Sequence, residues 1–105
     1  MKVVWTPLAK KGRTRVAGYI SRQFGTTRKD KFLQEARKTT KMLKNHPNIG
    51  PIDPLFAERQ KTYRSVIVGG LSKMVYRIED NDIYIVAFWD CRQDPEPQAA
   101  QVTEK

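Results

Sequence analysis

The spacing of apolar positions changes character along the chain, from helical in the first half to alternating beyond about residue 60. Lys2 to Thr6 (KVVWT) is β-branched and aromatic and reads as a first strand. Thr6-Pro7 starts a helix: the hydroxyl caps it, and Pro occupies a first position whose N–H has no helical partner. Val16, Ile20 and Phe24 recur at fourfold spacing, joined by Tyr19, and Gly25 ends the helix. Gly12, inside it, weakens its first turns by ~1 kcal/mol relative to Ala. A second helix carries Phe32, Ala36 and Leu43 on its apolar face, with Thr27 and Asp30 spaced as a capping box, and stops before Pro47. The connection between the helices is so short that they must form a hairpin. His46 to Phe56, with three Pro and Gly50, is a loop.

Three strands follow: Tyr63 to Val68, Leu71 to Glu79 and Asp82 to Asp90. Gly69-Gly70 and Asp80-Asn81 supply hairpin turns, because these residues tolerate positive φ. With two residues in each turn, Val66 faces Lys73, Arg64 faces Val75, Arg77 faces Tyr84 and Lys73 faces Phe88. One sheet face then carries Arg64, Lys73, Arg77 and Arg92 around a floor that includes Val75, Val86 and Phe88. The other, with Ile67, Met74, Tyr76, Ile83, Ile85 and Trp89, belongs against the helices. One extra residue in either turn would reverse a strand and break up the cationic group. The expected fold is α+β, a small antiparallel sheet with the helical hairpin on one face, in the order β-α-α-β-β-β. It forms a single domain over residues 1–93, followed by a flexible C-terminal tail, 94–105, with two Pro and no apolar cluster.

Charge sharpens the picture. The net charge is +9, and residues 1–50 hold thirteen Lys or Arg against two acids. Such a balance points to nucleic acid or an acidic partner. An open face that gathers four cations fits an anion, and Arg64, Lys73, Arg77, Arg92 and Phe88 are its candidate nucleic-acid-binding residues. A single Cys91 excludes an internal disulfide, and one Cys with one His, His46, leaves no recognisable metal site. No cofactor is implied. No 18-residue apolar run occurs and no signal-peptide core opens the chain, so it reads as cytoplasmic, without a membrane partner.

The stretch from Leu43 to Arg92 contains "LKNHPNIGPI", then a V-Y-R-I strand, an acidic turn, an I-Y-I-V strand and a D-x-R-Q-x-P end. With the first strand and both helices, this order resembles the RelE/ParE family of toxins of type II toxin–antitoxin systems, the plasmid-stabilisation type. The resemblance implies growth inhibition held in check by a cognate antitoxin. It implies one of two activities. RelE-like members cut messenger RNA on the ribosome, whereas ParE-like members inhibit DNA gyrase and cleave nothing. The first is favoured here by the basic face, which makes the chain a candidate endoribonuclease. A non-toxic RNA-binding relative is a third reading.

In RelE-like enzymes basic side chains hold the scissile phosphate while an acid–base pair moves protons. By position Arg64, Lys73 and Arg92 match those basic residues and are the candidate catalytic groups. Glu58 lies where some relatives carry an acid. Val66 stands where a further Lys is common, and Gln93, Asp94 and Pro95 lack the Tyr or His of many nucleolytic relatives. His46 and Asp90 match no acid–base position cleanly, and Cys91 reads as a small residue at a strand end.

Overall fold

The computed structural model describes residues 1–104. Strand β1 (Val3–Trp5) leads into α1 (Pro7–Phe24) and α2 (Thr26–Asn45). A one-turn 3-10 helix (Pro54–Phe56) precedes β2 (Arg64–Val68), β3 (Ser72–Glu79), β4 (Asp82–Asp90) and α3 (Pro95–Ala100). The fold is α+β, in the predicted order. The sheet runs β1-β4-β3-β2; β2, β3 and β4 form an antiparallel meander and β1 joins β4 in parallel, so the sheet is mixed.

The helix boundaries follow local chemistry. Thr6 Oγ1 accepts from the Ala9 N–H at 3.3 Å and Pro7 opens α1. Gly25, at φ 90, turns the chain between the helices. The Thr27–Asp30 capping box does not form, because α2 already begins at Thr26 with Gly25 as its cap. Ala9, Gly12, Val16 and Ala17 of α1 and Phe32, Ala36 and Leu43 of α2 face the sheet. There they meet Val68, Met74, Tyr76, Ile83, Ile85 and Phe88. Leu43 alone, fully buried, contributes about 1.5–3 kcal/mol. Phe24, expected on this stripe, sits at the hairpin tip and stays 55% exposed.

Two one-residue departures from the expected pairing decide which side chains share a face. The first hairpin loop has three residues, since Val68 pairs with Ser72 and leaves Gly69, Gly70 and Leu71 in the loop. Both glycines sit at positive φ, 61 and 77. This register buries Val68 and tucks Val66 against the core, while Ser65 and Ile67 turn outward. The second hairpin turns through Asp80 and Asn81, both at positive φ, as expected. Further along, however, Tyr76 pairs with Ile85 and Val75 with Ala87, so Val86 is an extra residue in β4. A bulge of this kind reverses the faces beyond it. Phe88 therefore points into the helix-side core and Trp89 away from it.

The outer sheet face is not open. Val75, Val86, Ala87 and Trp89 pack there with Phe56, Tyr63, Ala99 and Val102, forming a second core. The segment expected to be a flexible tail forms α3 and lies across this face. The Arg59 guanidinium donates to the carbonyls of Ala99 and Val102, and Glu104 accepts from the Tyr63 hydroxyl at 3.0 Å and from the Lys61 N–H at 3.1 Å. Lys105 lies outside the described residues. Among the described residues no helix is long and apolar enough to cross a membrane.

Candidate functional site

The four cations predicted to converge are dispersed, each for a traceable reason. Arg64, first in β2, pairs with Tyr76 on the helix side, because the longer loop reversed its strand. Its guanidinium donates to the Gly50 carbonyl at 2.8 Å and clasps the loop after α2. In the same place the Tyr76 hydroxyl donates to the Pro47 carbonyl at 2.7 Å and accepts from the Gly50 N–H at 3.1 Å. Lys73 does face outward, opposite Ile67 and Trp89. Its Nζ lies 2.6 Å from Oδ2 of Asp53, a carboxylate with no exposed side-chain surface. The contact lacks hydrogen-bond alignment and is a charge contact, whereas the other oxygen, Oδ1, caps the Leu55 N–H at 3.0 Å.

Arg77 also faces outward. It lies 4.7 Å over the Tyr84 ring and 2.9 Å from Glu79, leaving one buried guanidinium nitrogen without a partner. Arg92 leaves the end of β4 toward α1. It grips Asp90 with two nitrogens, Nε at 3.0 Å and Nη2 at 2.7 Å, and lies 5.1 Å over the Tyr19 ring. Phe88 cannot floor an open site, being buried against Trp5 and Phe32. Glu58 is exposed just after the 3-10 helix, and His46 ends α2 with its N–H on the Met42 carbonyl.

Several groups near these places are shifted away from neutrality, where a general acid or base works best. The hydrogen bond from Arg92 holds the Asp90 carboxyl below its usual range. Burial, then the Asp90 charge, pushes the Cys91 thiol up, away from a reactive thiolate. Burial likewise raises the phenols of Tyr63 and Tyr76. Among the described residues no cluster of three or more His, Cys, Asp or Glu side chains is arranged to hold a metal ion.

Arg92 does meet other cations, on the helix side. Arg92 shares an open cleft of about 420 Å³ with Arg15, Tyr19 and Arg22 of α1. Their i, i+4, i+7 spacing was legible in the sequence, but nothing local indicated that Arg92 would join them. Asp53, the partner that neutralises Lys73, was also missed; its position before Pro54 is a helix-start signal that could have marked it.

Residues 3–95 match the model of the family described as ParE toxin of type II toxin-antitoxin system, parDE. The chain belongs to the ParE toxin family. A toxin of this family has a cognate antitoxin as its partner. The fold is similar to a solved chain of the chromosomal ParDE TA system from P. aeruginosa, with a TM-score of 0.70 and 19% identity. That likeness covers 86% of this chain and 95% of the other. No curated protein matches the sequence.

Proposed function

We propose that this ParE-family toxin acts in the cytoplasm by binding and blocking its target, DNA gyrase, and not by cutting messenger RNA. The observation that carries this reading is the state of Lys73. The one candidate catalytic cation on the outer sheet face is held by buried Asp53 at 2.6 Å, and the face beside it is covered by α3 and the segment after it. Freeing Lys73 for a phosphate would leave Asp53 buried and uncompensated, at a cost of roughly 3–5 kcal/mol. Arg64 clasps the Gly50 carbonyl on the helix side and Arg92 lies over Tyr19 of α1, so in this reading the three basic groups do not converge on one scissile phosphate.

The test pairs two assays on the purified chain. A translation extract programmed with one message should leave that message intact. A gyrase reaction should lose supercoiling activity, and added antitoxin should restore it. Ribosome-dependent cuts in the message, with supercoiling unaffected, would refute this reading in favour of an endoribonuclease using Arg64, Lys73 and Arg92.

A further inference from the structure

Arg15 and Arg22 lie seven residues apart on α1 with Tyr19 between them, so the three side chains form one stripe along the helix. Arg92 arrives from another element, the turn after β4, and lays its guanidinium over the Tyr19 ring. Together these four line the cleft at the end of the sheet. Asp90 is the only carboxylate in its lining, and both of its oxygens are taken by Arg92. Arg15 and Arg22 have no ion-pair partner among the described residues, so the cleft keeps an excess of positive charge. Arg22 folds back along its own helix over Gly18, where an added Cβ would stand 3.1 Å from Nη1.

We infer that this cleft binds a phosphate ester, the phosphate of a nucleotide or of a nucleic-acid backbone. A carboxylate offers two coplanar oxygens, which one guanidinium already satisfies. Three guanidinium groups from two elements suit a tetrahedral group with more acceptor oxygens and more charge. The Tyr19 ring adds a flat surface on which a sugar or base can rest. The volume, toward the lower end of ligand sites, suits one nucleotide unit. The inference goes beyond the blocking of gyrase and does not depend on it, since the cleft is separate from the outer sheet face.

Arginine side-chain NMR on the full chain tests this directly. The Nε–Hε signals are followed during titration with inorganic phosphate, a nucleoside monophosphate, a single-stranded oligonucleotide and a glutamate-rich peptide. Signals of Arg15, Arg22 and Arg92 should move together and saturate with the phosphate compounds, ahead of Arg28 and Arg37 on α2. Arg15→Ala with Arg22→Ala should weaken oligonucleotide binding by about tenfold or more, since two charge-assisted hydrogen bonds are lost. The equal-charge control, Arg28→Ala with Arg37→Ala, should weaken it less than about twofold. All four arginines are exposed, and an unchanged thermal melt checks that each variant folds. Tighter binding of the free nucleotide than of the oligonucleotide, or the reverse, tells which source of phosphate the cleft prefers. Equal weakening by both double variants would overturn the inference, because overall charge would then account for binding. So would a peptide that moves the three signals as strongly as phosphate does.

Discussion

Gly12 and Gly18 occupy the same helix, yet replacing each by Ala should have opposite effects. Gly12 faces β4, and an ideal Cβ there would lie 2.0 Å from the Phe88 carbonyl oxygen and 3.0 Å from its carbon. An ordinary carbon–oxygen contact is about 3.3 Å or longer, so α1 would have to retreat by about 1 Å or more. Overpacking a core typically costs about 1–3 kcal/mol, and here the obstacle is strand backbone, which yields less than a side chain. The better helix propensity of Ala returns ~1 kcal/mol, leaving a net loss of about 2 kcal/mol. For a domain of this size that lowers the melting temperature by about 8–15 °C. At Gly18 the nearest obstacle is the flexible end of Arg22, at 3.1 Å. The propensity gain should therefore survive there, giving up to ~1 kcal/mol of stabilisation. Thermal melts followed by circular dichroism on both variants decide the matter. A Gly12→Ala protein that melts at or above the parent temperature would refute the close approach of α1 to β4.

Asp53→Ala should destabilise by roughly 3–5 kcal/mol in urea unfolding, because it strands Lys73 and uncaps Leu55; a loss under about 1 kcal/mol would show that the pair does not restrain Lys73. Tyr76→Phe leaves the Gly50 N–H and the Pro47 carbonyl without their partner, so it should cost about 1–3 kcal/mol and speed amide exchange at Gly50; unchanged exchange there would contradict the clasp. At Glu104 burial favours protonation, but the Lys61 and Gln60 N–H groups, the Tyr63 hydroxyl and the Arg59 charge outweigh it, so its folded-state pKa falls below the ordinary 4.5. A depressed carboxyl stabilises the fold above its unfolded pKa and loses that contribution as pH drops through the folded value. The segment after α3 should therefore loosen in acid, below about pH 4.5, and Glu104→Gln should flatten that part of the pH–stability curve; an identical acid limb in the variant would rule the contact out.

The helices were legible because their signals are local: Thr6-Pro7 and Gly25 mark the ends of α1, and apolar spacing marks its neighbour's buried face. The sheet was legible in order but not in register. In β2 the run Val66-Ile67-Val68 is apolar at every position, so alternation cannot tell which face is inward. Burial of Val68 decides it, with Leu71 absorbed into the loop. In β4 nearly every residue from Ile83 to Trp89 is buried, because the 3-10 helix and α3 cover the outer face. An evenly apolar strand gives no sign of the extra residue at Val86. The C-terminal segment looked unstructured because, among its described residues, only Ala99 and Val102 are buried, and Arg59, remote in sequence, secures them.

These failures share a physical cause with consequences for function. On a strand, a slip of one residue moves every side chain to the opposite face, so a constellation read from strands depends on loop lengths and bulges that burial alone selects. Arg64 was lost from the predicted cluster by the first slip, and the reversal beyond Val86 sends Arg92 to the helix side. On a helix, periodicity is fixed by the backbone, and Arg15, Tyr19 and Arg22 share a stripe whatever the sheet does. The bulge that removed Arg92 from the outer face is thus also what brings it over Tyr19, to a cleft that it lines together with Arg15 and Arg22 from another element.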